Sequence, residues 1–167
     1  MIQVYTGNGK GKTTAAMGLA VRAWGQGLSV GVFQFLKSGE VTGELKAARK
    51  LGIPFHQYGS GRWLVGGPPE ADEIEMAESG LAAAEEAVRN GMDIVVLDEV
   101  SHAVNHGLLS VDRVLTLLQS ASEGTEFVLT GRDMPQALMD CADLVTEMKE
   151  VKHPYRQGAE ARQGIEY

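Results

Sequence analysis

A stretch near the start of the chain, VYTGNGKGKTTAA (residues 4–16), has the residue types of a loop that binds phosphate groups between a strand and a helix. Lys12 would place a full positive charge on the phosphates, and the Thr13 hydroxyl would ligate a magnesium ion. Lys10 adds a second cation. Three glycines let the backbone turn its N–H groups toward an anion: Gly7, Gly9 and Gly11. The alternative is a glycine-rich turn that only joins the strand to the helix.

The spacing of this loop departs from the common phosphate-loop pattern G-x-x-x-x-G-K-[ST]. Counting back five positions from Gly11 gives Thr6, so the interval that begins at Gly7 is one residue short. The sequence therefore predicts a phosphate-binding loop with a shortened glycine interval.

Two carboxylates, Asp98 and Glu99, close the apolar run DIVVLDE (residues 93–99), where many phosphate-loop proteins carry a metal-linked carboxylate. Glu99 would orient a water molecule in an ATPase, or otherwise position Mg²⁺ or its waters. The alternative is that both carboxylates cap the next helix, since Ser101 follows and can also cap. Arg132 follows the run FVLT and points to the same rim, where its guanidinium suits phosphate or ribose contacts or a structural salt bridge.

Trp63 stands among glycines in the segment GSGRWLVGG (residues 59–67). It is a flat contact for a ring-shaped ligand, a packing residue at the sheet edge, or a side chain exposed by chance. The histidines show no recognisable metal spacing, and we take them as structural: His56, His102, His106 and His153.

The elements that must position these residues alternate between strand and helix. We expect strands at residues 2–5, 29–36, 53–58, 93–99, 126–132 and 144–148, and helices at about 13–25, 44–50, 70–89, 111–118 and after Pro135. In the third helix one apolar stripe would face the sheet: Ile74, Ala77, Leu81, Ala84 and Val88. The pattern predicts an α/β fold with a mostly parallel sheet and helices on both faces. Ligands in such sheets bind at the carboxyl ends of the strands.

Composition narrows the class of protein. A length of 167 residues fits a single domain, and a net charge of −7 disfavours nucleic acid or an anionic membrane surface as the main partner. The single cysteine, Cys141, excludes an internal disulfide, and no stretch approaches 18 continuous apolar residues. We therefore expect a cytoplasmic protein.

Several stretches in combination resemble the P-loop ATP:corrinoid adenosyltransferases of the cobalamin pathway. They are TGNGKGKTTAA, GVFQFLK, VVLDE, LTGRDMP, ADLVTEM and the closing VKHPYRQGAEARQGIEY. The resemblance covers residues 2–167 and implies one domain, residues 1–167, with a P-loop NTPase fold of the RecA-like type.

The resemblance implies transfer of the 5′-deoxyadenosyl group of ATP to the Co(I) of a corrinoid, with release of tripolyphosphate. The nucleotide would lie in the reverse sense along the loop, with its phosphates held as a leaving group. Lys12 and Glu99 would be catalytic, and Mg²⁺ or Mn²⁺ would bind Thr13 and Glu99. Trp63 would face the corrin. ATP would contact Gly7, Asn8, Gly9, Lys10, Gly11, Lys12, Thr13, Thr14 and Arg132.

The resemblance also implies a homodimer and a reduced flavoprotein as electron donor. This sequence departs from the family in two places: Gly61 stands where a second loop aromatic is usual, and the family's N-terminal extension is not found here. The alternatives are a small P-loop ATPase or kinase, which would yield ADP or phosphate, and a non-catalytic corrinoid or nucleotide carrier. Cobalamin, cobinamide and cobyrinic acid a,c-diamide remain open as the substrate, in biosynthesis or salvage.

Overall fold

A computed structural model describes residues 1–39, 42–61, 68–121, 124–158 and 160–165, without the side chain of Gln157. The strands in these ranges form one parallel sheet in the order β3-β2-β4-β5-β1-β6. They are β1 (Ile2–Thr6), β2 (Val30–Phe35), β3 (Phe55–Tyr58), β4 (Ile94–Asp98), β5 (Glu126–Thr130) and β6 (Leu144–Glu147). The predicted α/β fold with a parallel sheet is confirmed.

Helices connect the strands, as the alternating pattern predicts. They are α1 (Lys12–Gly25), α2 (Gly43–Leu51), α3 (Ala71–Arg89), α4 (Val100–Asn105), α5 (Val111–Ser120) and α6 (Gln136–Asp140), followed by a 3₁₀ helix (Pro154–Gln157). Among the described residues, none of the helices combines the length and the apolar character that crossing a bilayer requires.

The sheet separates two apolar cores. Helices α1 and α2 cover one face, where Ala16 and Ala20 pack with Val32, Val96 and Val128. Helices α3 to α6 cover the other face, which buries the alternate strand residues Phe33, Phe35, Val95, Leu97, Phe127 and Leu129. Because both faces of the central strands are covered, their continuous apolar runs follow directly from the fold.

The prediction of an apolar stripe on α3 that faces the sheet is wrong at one residue. Ile74 is 37% exposed, whereas Ala77, Leu81, Ala84 and Val88 are buried. The first turn of α3 buries Glu73 instead, because its carboxylate accepts a hydrogen bond from the Glu70 main-chain N–H in a capping box. Capping chemistry therefore outweighs apolar periodicity at this helix start.

Candidate functional site

The residues whose side chains could take part in chemistry meet at one edge of the sheet, because the strands that precede them are all parallel. The loop after β1, Glu99 after β4 and Arg132 after β5 all border one cavity of about 540 Å³. That volume lies within the range of small-molecule sites. The cavity is lined by Asn8, Gly9, Lys10, Gly11, Lys12, Thr13, Thr14, Met17, Lys37, Gly43, Glu44, Glu99, Arg132, His153, Gly164 and Ile165.

Strained backbone is concentrated at this edge. Among the described residues, three that are not glycine have positive φ, and each follows a strand that ends there: Leu36 at 67°, Glu99 at 60° and Asp133 at 48°. Residues with a Cβ adopt this conformation rarely, and it persists where the surrounding structure holds it, often at functional sites. The strain thus marks the same edge as the cavity.

Lys12 is held inside the phosphate loop. Its Nζ donates to the carbonyl oxygen of Gly7 at 2.7 Å and to that of Gly9 at 2.9 Å, and the residue is 7% exposed. Burial lowers the pKa of Lys12, while the negative charge of Glu99 raises it in opposition. The loop residues from Asn8 to Thr14 line the cavity. Gly7 is not among the described lining residues and contributes its carbonyl to Lys12.

The unusual glycine spacing has a structural explanation in the segment after β6. The main-chain N–H of Gly9 donates to the carbonyl oxygen of Met148 at 2.6 Å. A Cβ on either Gly7 or Gly9 would come within 2.6 Å of that same oxygen. These two glycines therefore permit close approach of residues 147–149, and the Gly9 N–H does not point to an anion as expected.

Glu99 carries a partly buried carboxylate at the cavity. Its side chain is 17% exposed, and Nδ1 of His102 lies 2.9 Å from Oε2. This contact lacks hydrogen-bond geometry, so Oε2 is a buried oxygen without a hydrogen-bond partner among the described residues. Burial raises the pKa of Glu99, but His102, Lys37 and Lys12 together outweigh it and leave the pKa below its ordinary value. The lowered pKa favours the ionised form of this carboxylate.

The capping alternative for the two carboxylates is only partly met. Glu99 occupies the N-cap position of α4, but its side chain makes no capping hydrogen bond. Ser101 lies inside α4 and donates its hydroxyl to the carbonyl oxygen of Arg132 at 2.6 Å. Asp98 is 1% exposed and accepts hydrogen bonds from Gln34 and Thr130, so it does not face the cavity.

Cations surround the cavity. Arg132 is exposed, forms no ion pair with a carboxylate in the described part of the chain, and lowers the pKa of Lys12 through its charge after the larger effect of burial. Lys37 follows β2, lines the cavity and helps to lower the pKa of Glu99. Sequence reasoning missed Lys37 as a site residue, although its position after a strand next to β4 was the available signal.

The C-terminal tail reaches the phosphate loop. Nζ of Lys10 donates to the carbonyl oxygen of Ile165 at 2.8 Å, and Gly164 and Ile165 line the cavity together with His153. No pattern in the sequence placed these residues there. Of the histidines expected to be structural, His153 lines the cavity and His102 contacts Glu99.

Trp63 lies outside the described residues. The segment before it packs closely against the residues on either side of Lys37, which lines the cavity. A Cβ on Gly59 would come within 2.2 Å of the backbone of Leu36, and one on Gly61 within 2.3 Å of Oγ of Ser38. Both contacts flank Lys37. The loop that carries Trp63 therefore starts next to a cavity residue.

Comparison with known proteins shows the family to which this chain belongs. The whole chain, residues 1–167, matches the sequence model of the family described as ATP:corrinoid adenosyltransferase BtuR/CobO/CobP. It is 36% identical to a corrinoid adenosyltransferase of Pseudomonas aeruginosa, 35% to that of Salmonella typhimurium and 37% to that of a Sinorhizobium species. Each match covers 100% of this chain and respectively 83%, 85% and 80% of the relative.

Proposed function

Because this chain belongs to the ATP:corrinoid adenosyltransferase family, we propose that it transfers the 5′-deoxyadenosyl group of ATP to the Co(I) of a corrinoid and releases tripolyphosphate. The observation that carries this proposal is the cavity at the carboxyl edge of the sheet, where Lys12, Lys37 and Arg132 converge. Residues 1–167 would act as one domain, which the continuous sheet from β1 to β6 supports.

The three cations would hold the triphosphate as a leaving group. Co(I) is a strong nucleophile, so displacement at C5′ needs in-line alignment and neutralisation of the departing charge more than activation of the attacker. Lys12 is pinned by two loop carbonyls, which keeps its charge in a fixed place. Lys37 and Arg132 line the same cavity and would contact phosphate oxygens beyond the loop.

Thr13 and Glu99 would hold Mg²⁺ or Mn²⁺. The fit rests on Oε2 of Glu99, a buried carboxylate oxygen whose neighbour Nδ1 of His102, at 2.9 Å, forms no hydrogen bond of normal geometry with it in the described ranges. No group of three or more histidine, cysteine or acidic side chains suited to a metal occurs among the described residues. Magnesium commonly completes its shell with phosphate oxygens and water. The bound ion would neutralise charge on the triphosphate.

Trp63 would contact the corrin face and help to displace the axial ligand of Co(II) before reduction. The anchored start of its loop at Gly59 and Gly61, beside Lys37, supports this role. A corrinoid bound there would adjoin the nucleotide cavity. Exclusion of water from that junction would limit competing hydrolysis of ATP and loss of Co(I).

The chain would form a homodimer through β6. Parallel strands are usually covered on both faces, yet all four residues of β6 are exposed, including Leu144 at 39% and Val145 at 46%. A Val145→Lys variant would then dissociate in sedimentation experiments, whereas Val21→Lys, at an exposed site on α1, would not. A monomeric wild-type chain would disprove this assembly.

We also propose a cytoplasmic location and a reduced flavoprotein as electron donor. The lone, exposed thiol of Cys141 suits a reducing compartment. The donor is inherited from the family resemblance. Replacing chemical reductant by a reduced flavoprotein in an assay that starts from Co(II) tests it, and absence of any alkylcobalt product would reject it.

The decisive experiment mixes the protein anaerobically with MgATP and chemically reduced cob(I)alamin, and follows the visible spectrum with the phosphate products. A light-sensitive alkylcobalt spectrum with stoichiometric tripolyphosphate is expected. Unchanged Co(I) with accumulating ADP and phosphate would mean that the chain hydrolyses ATP instead. Parallel measurements of kcat/KM with cobinamide and cobyrinic acid a,c-diamide identify the preferred corrinoid.

A further inference from the structure

A row of hydrogen-bonded side chains crosses four neighbouring strands beside the cavity. Gln57 of β3 donates through Nε2 to Oε1 of Gln34 at 2.8 Å, and Gln34 of β2 donates through Nε2 to Oδ2 of Asp98 at 2.7 Å. Thr130 of β5 donates its hydroxyl to Oδ1 of Asp98 at 2.7 Å. The Thr130 oxygen then accepts the main-chain N–H of Glu99 at 2.9 Å. The row therefore ends at Glu99.

The row has a defined direction at Thr130. A threonine hydroxyl has one proton to donate and lone pairs with which to accept. Asp98 takes that proton on Oδ1 while its other oxygen is occupied by Gln34. The Thr130 lone pair is thereby turned toward the Glu99 N–H. Asp98 thus sets the orientation of the hydroxyl that holds Glu99.

Glu99 needs such a restraint. Its backbone lies in the left-handed region, with φ 60° and ψ 24°, which is unfavourable for a residue with a Cβ. The same residue starts α4 and points a carboxylate to the cavity. Loss of the hydrogen bond from its N–H would let the backbone relax and move that carboxylate.

Burial shows that the row is not a chance surface network. Gln34 and Thr130 are 0% exposed, and Asp98 is 1% exposed. Strand alternation puts these side chains on the face that α1 covers, in line with the apolar residues Val32 and Val96. A buried polar row in an apolar layer is costly unless every member is satisfied, and here each donor has its acceptor.

We propose that Thr130 is a positioning residue for Glu99, with Asp98 orienting the Thr130 hydroxyl. This proposal rests on the proposed function, in which Glu99 holds the metal ion of MgATP. Outer partners of metal ligands commonly change metal affinity by about 10–100-fold when they are removed. Thr130 would act on the metal through the backbone of Glu99 and would touch neither the nucleotide nor the corrinoid.

The test compares Thr130→Val, which keeps the shape and removes both hydrogen bonds, with Thr130→Ser, which keeps the hydroxyl. Thr125→Val is the matched control. Thr125 is 5% exposed, lies just before the other end of β5, and donates its hydroxyl to the carbonyl oxygen of Met92 at 3.0 Å. A purely structural effect of losing a buried threonine hydroxyl would appear in both valine variants.

The measurement is the ATP dissociation constant by calorimetry, with Mg²⁺ and with EDTA, alongside the melting temperature. Thr130→Val should reduce the strengthening of ATP binding by Mg²⁺ about 10–100-fold, with metal-free binding near the wild-type value. Thr130→Ser and Thr125→Val should keep the wild-type magnesium effect. A wild-type magnesium effect in Thr130→Val, or an equal loss in Thr125→Val, would overturn the proposal.

Two more variants complete the design. Should Thr130→Val not fold, Thr130→Ala carries the test, because it also removes the hydroxyl oxygen that accepts the Glu99 N–H. An unchanged magnesium effect in Thr130→Ala overturns the proposal. Glu99→Gln distinguishes failure of the proposed metal site from failure of the positioning role of Thr130. An unchanged magnesium effect in Glu99→Gln would reject the proposed metal site itself, whereas loss in Glu99→Gln and none in Thr130→Val would reject only the positioning role.

Discussion

Replacing Gly9 by alanine tests whether the short phosphate loop is shaped by the segment after β6. The added Cβ would stand 2.6 Å from the carbonyl oxygen of Met148, 2.8 Å from its carbonyl carbon and 2.9 Å from that of Lys149. Gly9 does not have a positive φ, so its backbone conformation is open to alanine. The substitution is therefore a steric test of one contact.

The expected cost follows from that contact. Ordinary van der Waals contact begins near 3.4 Å, so residues 147–149 must move by about 0.8 Å, and the 2.6 Å hydrogen bond from the Gly9 N–H to Met148 weakens. Overpacking costs about 1–3 kcal/mol and a lost hydrogen bond about 1 kcal/mol. For a chain of this size the total lowers the melting temperature by about 5–15 °C.

Gly18→Ala is the matched control for Gly9→Ala. Gly18 lies in α1 with no atom within 4 Å of the position that a Cβ would take, so alanine there should stabilise the helix by about 0.5–1 kcal/mol. Differential scanning calorimetry gives both melting temperatures, and titration calorimetry gives the ATP dissociation constant. We expect Gly9→Ala to weaken ATP binding about tenfold, equal to about 1.4 kcal/mol, because residues 147–149 lead to the tail that lines the cavity.

Two results would refute this reasoning. An unchanged melting temperature with wild-type ATP affinity would mean that the close contact with Met148 does not exist in solution. A normal melting temperature with strongly weakened ATP binding would mean that Gly9 is needed for approach of the phosphates and not for residues 147–149.

Lys12→Ala should weaken ATP binding about 10–100-fold, since charge-assisted hydrogen bonds contribute about 1.5–3 kcal/mol, and should abolish transfer; wild-type rates would remove the loop from the mechanism. Glu99→Gln should show a pH signature in EDTA. The folded pKa of Glu99 is lowered, so its stabilisation is present above the unfolded pKa and is lost as pH falls through the folded value. The stability difference between wild type and Glu99→Gln, measured by urea unfolding, should therefore shrink toward low pH. Trp63→Ala should spare transfer to preformed Co(I) and impair the route from Co(II); equal losses by both routes would exclude that role.

Local patterns predicted the fold well because its elements depend on near neighbours in sequence. The apolar runs that became β4 and β5 are continuous because both faces of those strands are covered. The parallel sheet then places every strand end at one edge, so the loop, Glu99 and Arg132 were expected to meet there, and they border one cavity. The prediction that Ile74 is buried was wrong, because the capping interaction of Glu73 buries that residue in the first turn of α3 instead.

The parts of the site that sequence reasoning missed depend on contacts between distant residues. Lys10 meets Ile165, which is 155 positions away, and Glu99 is held by Thr130, 31 positions away. Such pairs are created when the sheet brings strand ends together, and no periodicity or spacing in one segment encodes them. The cross-strand register and hydrogen bonds of the folded sheet show that Gln34, Asp98 and Thr130 share one row.

The spacing of the phosphate loop is a local sequence pattern whose explanation lies in contacts with distant residues. A phosphate loop with the common spacing carries its first glycine one position earlier, and here that position is Thr6, whose side chain is 8% exposed and whose carbonyl oxygen accepts the Met148 N–H at 2.8 Å. The carbonyl of Met148 in turn accepts the Gly9 N–H. Met148 is thus bound on both sides by the loop, and the segment that follows it leads to His153 and to the tail at the cavity. We therefore expect the shorter glycine interval to serve two contacts, one with residues 147–149 and one with phosphate, and this expectation links the tail to the proposed nucleotide site.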